Sequence, residues 1–217
     1  MTHTASLARI HLNLRSPLVQ RDLRDAGEMH RTLMRLVPDG LGDSPRLRSG
    51  LLYRLDVTEN ATTLLVQASS PLMPDRLPVG YGDMDIKPLD PVFAALRPGL
   101  GVRYRIAVNP AKRARLPLDQ KDKRGSIVPL SGPEADQWWT RRAAEAGLQL
   151  RTLLPTPLEP ARRRAKNAPA MRHSLMRYDG TATVTDPAPL TAALLAGIGR
   201  GKAYGAGLLT LAPATST

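Results

Sequence analysis

The sequence predicts an α+β protein made of two tandem ferredoxin-like domains. Three observations predict it. Strand-type alternation and helix-type spacing follow one another in the order β-α-β-β-α-β, and the second half repeats that order in outline. The 217 residues are 42% hydrophobic, enough apolar material for two cores of about a hundred residues each.

Ser6 to Leu14 alternates as a strand, and Leu18 to Val37 carries Leu23, Met29, Leu33, Leu36 and Val37 at helical spacing. Pro38, Gly40, Gly42 and Pro45 break the chain. Leu51–Val57 and Thr62–Ala68 read as strands around a tight turn at Thr58–Ala61. Pro71 to Asp90, rich in Pro and Gly, reads as loop, Pro91 to Leu96 as a helical turn, and Val102 to Val108 as the strand that completes the first domain. Ser131-Gly-Pro-Glu134 has the form of a capping box for a helix ending at Ala146. Leu148 to Leu154 then reads as a strand, and Leu175–Tyr178 with Thr181–Thr185 as a hairpin over Asp179–Gly180. Asp186–Pro187 starts a helix to Leu195, and Leu208 to Leu211 closes the fold. The expected division is an N-terminal domain over 1–110, a basic linker over 111–129 and a C-terminal domain over 130–217, with the Arg-rich stretch 160–172 projecting near its hairpin.

Charge points to the partner. The chain has 31 Lys and Arg against 19 Asp and Glu, a net charge of +12. Residues 1–100 hold 12 basic and 11 acidic side chains, whereas residues 101–217 hold 19 and 8. Arginine-rich coding would not spare one half, so the basic half reads as a polyanion-facing surface. The stretch around Arg162, Arg163, Arg164 and Lys166 lies among prolines and alanines with no large apolar face, which disfavours a membrane. Aromatic residues are only 4% of the chain, with Tyr53, Tyr104 and Tyr178 the strand-like candidates for base stacking. Recognition of a structured, backbone-rich nucleic acid through arginine is therefore expected over single-strand stacking.

Other chemistries are excluded or weak. The absence of cysteine removes disulfides, thiol nucleophiles and thiolate-bound metals. Arg9 and His11 interrupt what would be a signal core, no apolar run is long enough to span a bilayer, and a cytoplasmic protein is expected. The glycine cluster Gly197–Gly207 follows a helix and precedes a strand, the reverse of a Rossmann turn, and Ala203 after Lys202 breaks a Walker loop. It reads as a backbone-exposing turn presenting Arg200 and Lys202. His3 and His11 have no ligand-spaced partners, and Asp83 and Asp85 lack a Glu or His companion, so neither metal site nor cofactor is expected.

The segments Glu28–Pro38 (EMHRTLMRLVP), Val108–Arg113 (VNPAKR) and Gly197–Pro213 (GIGRGKAYGAGLLTLAP) resemble, in order and spacing, the CasE family. These are the CRISPR-associated RAMP endoribonucleases that process precursor CRISPR RNA in type I-E Cascade. The resemblance covers essentially the whole chain and implies tandem ferredoxin-like (RAMP/RRM-like) domains, in agreement with the element order. It implies metal-independent cleavage at the 3′ base of a CRISPR repeat hairpin, giving 2′,3′-cyclic phosphate and 5′-hydroxyl ends. It further implies retention with the crRNA among the other Cascade subunits, the backbone RAMP proteins.

By the same resemblance His30 falls on the family's catalytic histidine and Arg35 on a basic position one turn later, while Lys202 is a second candidate cation. One departure stands out. Relatives often carry a tyrosine three residues before the histidine, and this chain has Gly27 there. The candidate RNA-binding set is Lys112, Arg113, Arg115, Arg162, Arg163, Arg164, Lys166, Arg172, His173 and Arg200. His173 reads as phosphate-facing or solvent-exposed rather than as a second acid–base group. The alternative function is a non-catalytic RNA-hairpin-binding subunit of a ribonucleoprotein, which differs from the enzyme at His30.

Overall fold

A computed structural model of the chain describes residues 4–114, 125–163 and 171–214. Arg115, Arg164 and Lys166 lie outside the described residues.

Strand β1 (Ser6–Leu12) buries Ala8, Ile10 and Leu12 and exposes Arg9 and His11, as its alternation requires. The single helix expected over 18–37 is divided into α1 (Pro17–Arg24) and α2 (Ala26–Met34). Asp25 makes the break. Its backbone is extended, and its carboxylate accepts the amides of Gly27 at 2.7 Å and Glu28 at 3.3 Å, so it caps α2 instead of continuing α1. A short helix α3 (Pro45–Ser49) precedes β2 (Leu52–Val57) and β3 (Thr62–Ala68).

The segment expected as loop contains a fourth strand, β4 (Gly82–Pro88), paired antiparallel with β1 from Ser6↔Pro88 to Leu12↔Gly82. Its Asp83, Asp85 and Lys87 read as turn-like polarity, but an edge strand with little to bury tolerates them. The first sheet thus runs β2-β3-β1-β4, the ferredoxin-like order. After the short helix α4 (Asp90–Ala95), β5 (Gly101–Val108) enters the second sheet. The expected division at residue 110 therefore leaves β5 on the wrong side.

The second unit continues through the small ladder of β6 (Ala111–Arg113) with β7 (Ile127–Pro129), then α5 (Gly132–Glu145) and β8 (Leu148–Leu150). It ends with β9 (Leu154–Arg163), β10 (Met171–Val184), α6 (Pro187–Ala196) and β11 (Leu209–Pro213). Its sheet order β11-β5-β10-β8 repeats the ferredoxin-like order, with β9 paired to the outer part of β10. Two local expectations fail. Ser131 makes no side-chain cap to α5, and Glu134 instead meets Lys112 Nζ at 2.6 Å. Asp179–Gly180 is no turn, since β10 runs straight through it. A Cβ at Gly180 would lie 2.2 Å from the Thr152 carbonyl oxygen, so this glycine admits a close backbone neighbour.

Each sheet has its own core, around Ile10, Leu33, Leu36 and Leu64 in the first unit and Ile106, Trp139, Tyr178 and Leu190 in the second. Tyr53, Tyr104 and Tyr178 are all buried, so none is a stacking platform. The units are joined by polar contacts. The guanidinium of Arg54, 2% exposed, is bidentate to Asp56 at 2.8 and 2.9 Å. It also donates to the Arg105 carbonyl at 3.0 Å, the Leu208 carbonyl at 3.2 Å and Thr210 Oγ1 at 2.9 Å. Gln67 adds a bond from β3 to the Leu194 carbonyl of α6 at 2.7 Å. Gly197, with φ of 73°, packs where a Cβ would lie 2.7 Å from Leu52. Among the described residues no helix is long and apolar enough to cross a membrane.

Removing the guanidinium leaves Asp56 with the looser Arg105 pair at 3.7 Å and takes the donor from three acceptors, so Arg54→Ala should lower stability by about 3–5 kcal/mol. Urea denaturation followed by tryptophan fluorescence checks this; a loss under about 1 kcal/mol would show the interface does not depend on that bond set.

Candidate active site

Helix α2 carries His30 and is held from three sides. Asp25 caps it, α1 packs beside it, and the short helical turn Lys202–Tyr204 of the Gly-rich loop packs against it. Tyr53 stands between these parts, its hydroxyl 3.3 Å from the Ala203 carbonyl oxygen and 3.5 Å from that of Ala26. Burial first, then nearby Tyr204, Asp22 and Asp25, push the Tyr53 hydroxyl far up, so it stays protonated and committed to these carbonyls.

His30 is half-buried, and its Nδ1 is enclosed with no hydrogen-bond partner among the described residues. Burial lowers its pKa, and the charges of Arg46 and Arg163 lower it further. The imidazole is therefore neutral near pH 7. Arg46 comes from α3, half-buried, with a guanidinium nitrogen 3.2 Å from the Leu51 carbonyl. Burial lowers the Lys202 pKa as well, and Arg46 adds to that effect, so Arg46 acts on both His30 and Lys202.

The expected cations fare differently. Lys202 reaches the region but donates to the Ala196 carbonyl at 2.7 Å, closing the C-terminal end of α6. Arg35 stands exposed at the C-cap of α2, and the charges acting on His30 come from Arg46 and Arg163 instead. No sequence signal marks Arg46, because a five-residue helix after a proline break brings it in from outside the motif. Arg163 approaches from β9, where its side chain covers the buried Gly27.

The remaining candidates spread over the second unit. Arg162 is exposed, and with Arg163 it lines a largely apolar cleft of about 1140 Å3 between α1–α2 and β9 that His30 itself does not line. Arg172 lies on β10 opposite Arg162. Arg113 bonds the Gly125 carbonyl at 2.8 Å, and Arg200 is exposed on the Gly-rich loop, bridged to Asn109 through its backbone. His173 is neither solvent-exposed nor free. Its Nδ1 lies 2.7 Å from Asn109 Nδ2, its ring centroid 5.4 Å from that of Tyr204, and burial followed by Arg200 lowers its pKa. It fastens β10 to the Gly-rich loop as a neutral ring. Among the described residues no group of three or more His, Asp or Glu could hold a metal ion.

Two ferredoxin-like units with a Gly-rich loop before the last strand, and a neutral histidine set among cations, define a nucleic-acid-processing protein of the RAMP type. A family model described as CRISPR associated protein matches residues 7–213. The chain is 32% identical over 219 residues to the CRISPR-associated endoribonuclease Cse3 of Thermus thermophilus, covering 95% of this chain and 99% of that protein. The structure of Thermus thermophilus Cse3 bound to an RNA representing a pre-cleavage complex superposes with a TM-score of 0.80 at 32% identity, over 97% of this chain and all of that one. A chain of a CRISPR RNA-guided surveillance complex, pre-nicking, is 39% identical with a TM-score of 0.70, over 96% of this chain and all of that one. The chain belongs to the CRISPR-associated protein family and, within it, to the Cse3, or CasE, endoribonucleases.

The Asp25 cap orients the helix that bears His30. Asp25→Ala should lower stability by about 1 kcal/mol. A fall in Tm of a few degrees with unchanged circular dichroism is the expected reading, and an unchanged Tm would show α2 is held by packing alone.

Proposed function

We propose that this chain binds the hairpin of a CRISPR repeat and cleaves precursor CRISPR RNA at its 3′ base without a metal ion. The observation that carries the reading is His30, half-buried with its Nδ1 enclosed, and kept neutral by burial and by the charges of Arg46 and Arg163. A neutral imidazole accepts a proton, and cations around it suit a phosphate. Because Nδ1 is enclosed, Nε2 is the nitrogen that meets the substrate.

The 2′-hydroxyl oxygen attacks the adjacent phosphorus while its proton passes to His30. The bond from phosphorus to the 5′-oxygen breaks, and that oxygen takes up a proton to leave as a hydroxyl. The products are a 2′,3′-cyclic phosphate and a 5′-hydroxyl end. Arg46 is the cation best placed to balance charge on phosphorus, with Lys202 behind it. Arg162, Arg172 and Arg200 hold the stem through phosphates, since A-form RNA hides its base edges in a narrow major groove. The Thermus thermophilus relative was solved with RNA, and the surveillance-complex chain sits in an assembly. By extension this chain stays with the crRNA in Cascade, in the cytoplasm where transcripts are made.

His30→Ala should lower single-turnover cleavage of repeat RNA by about 10²–10⁴-fold while affinity stays within a few-fold, since phosphate contacts dominate binding. Excess EDTA should leave the rate intact, and a 2′-deoxy nucleotide 5′ of the scissile phosphate should abolish it. Wild-type-like cutting by His30→Ala would remove the assignment.

The pH profile follows from the sign of the shift. A base must be neutral, and the His30 pKa is lowered from its ordinary 6.5, so kcat/KM should fall only as pH drops below about 6.5. The charged groups around His30 are Arg46 from α3, Arg163 from β9, and Glu28 and Arg31 on α2 itself. Arg46→Ala removes one depressing charge and should move the acid limb to higher pH. A limb that stays in place would show that burial alone sets it.

A further inference from the structure

We infer that Arg163 is a catalytic contact to the scissile phosphate, delivered to His30 across the bare face of Gly27. The inference rests on the endoribonuclease reading above and moves Arg163 from the RNA-binding set that the sequence suggested to the chemistry.

Gly27 is buried in the first turn of α2, three residues before His30 and therefore on the same helix face. A glycine inside a helix costs about 0.5–1 kcal/mol relative to alanine, so the position needs a reason. The reason is the neighbour. A Cβ at Gly27 would lie 3.2 Å from Arg163 Cγ and 3.3 Å from its Cδ, with Asp25 Oδ1 at 3.0 Å on the other side. The alkyl stem of Arg163 occupies the space a side chain would fill.

The stem is seated, but the head is uncommitted. Arg163 has no salt bridge among the described residues, unlike Arg21 and Arg31, which both meet Glu28 on the same helix. Its guanidinium charge is felt at His30. A planar fork whose stem is fixed by packing, beside a neutral imidazole, matches the non-bridging oxygens of a phosphate bidentately and loses little freedom on doing so. Arg162 is the contrast: adjacent along the strand and lining the same cleft, it is not among the neighbours that fill the space over Gly27 and is left to the stem. The space over Gly27 is thus filled by a cation that arrives from the second unit. The strand that grips RNA also completes the site that cuts it.

The test is single-turnover cleavage of repeat RNA at saturating protein, with affinity and its salt dependence measured in parallel. Arg163→Ala should slow cleavage by about 10²–10³-fold with the dissociation constant within a few-fold. Arg163→Lys should recover part of the rate, because charge returns without the fork. Gly27→Ala keeps the arginine and favours the helix, yet its methyl group displaces the stem by a few tenths of an ångström. It should slow cleavage by about 10-fold or more with affinity unchanged. A wild-type rate in Arg163→Ala, accompanied by weaker binding and a flatter salt dependence, would return Arg163 to the stem and overturn the inference. Wild-type rates in both Arg163→Ala and Gly27→Ala would overturn it as well. His30→Ala run alongside separates the two claims: if that variant cuts normally while Arg163→Ala is slow, the histidine assignment fails and the arginine contact stands.

Discussion

A guanidinium with no water around it holds the two halves of this protein in register. Arg54 belongs to β2 of the first sheet, yet three of its acceptors lie on β5, on β11 and on the residue just before β11 in the second unit. Desolvating such a charge is unfavourable unless it is paired and hydrogen-bonded, and the Asp56 fork with three further acceptors engages all three nitrogens. The candidate site depends on that register. His30 and Arg46 come from the first unit, while Arg163 and Lys202 come from the second. A small rotation between the sheets would separate them without disturbing either core.

The electrostatics of the site have the opposite character. Its cations bear on one another and on a histidine whose pKa answers to burial and to two arginines. In the free protein this gathering of like charge is a cost, visible in the lowered pKa values of His30 and Lys202, where the charge of Arg46 adds to burial. A bound phosphate reverses the sign of the balance. The same field that keeps the imidazole neutral before binding relaxes once an anion enters, which favours the protonated ring that forms as the reaction proceeds.

Sequence periodicity made the architecture legible because buried strands such as β1 and β3 must alternate and α5 must present an apolar face. It failed where burial is slight. β4 is an edge strand whose Asp83, Asp85 and Lys87 meet water, so its composition resembles a loop. It failed again at Asp25 and at Gly180, where one residue carries two readings. An aspartate can sit within a helix or begin one, and a glycine after aspartate can turn a chain or admit a neighbour. The site was legible only as far as it is local. His30 and its flanks are contiguous, whereas Arg46 and Arg163 reach it through tertiary packing that no spacing records. Gly27, visible in the sequence as a departure, acquires its meaning only from the strand above it.

β10 is a single strand of fourteen residues, about 45 Å if fully extended. β5 pairs it from Met176 to Thr183 and β8 pairs its last three residues, while β9 pairs it from Met171 to Asp179 and so extends beyond β5 at the outer end. Mechanically this is a cantilever with a built-in root. A load applied to its outer end is met by ladder hydrogen bonds and by the aromatic packing of Tyr178 on Trp139, rather than by a hinge at Asp179–Gly180. The outer hairpin therefore has a preferred direction in space before RNA arrives, and a helical substrate must come to it at one angle.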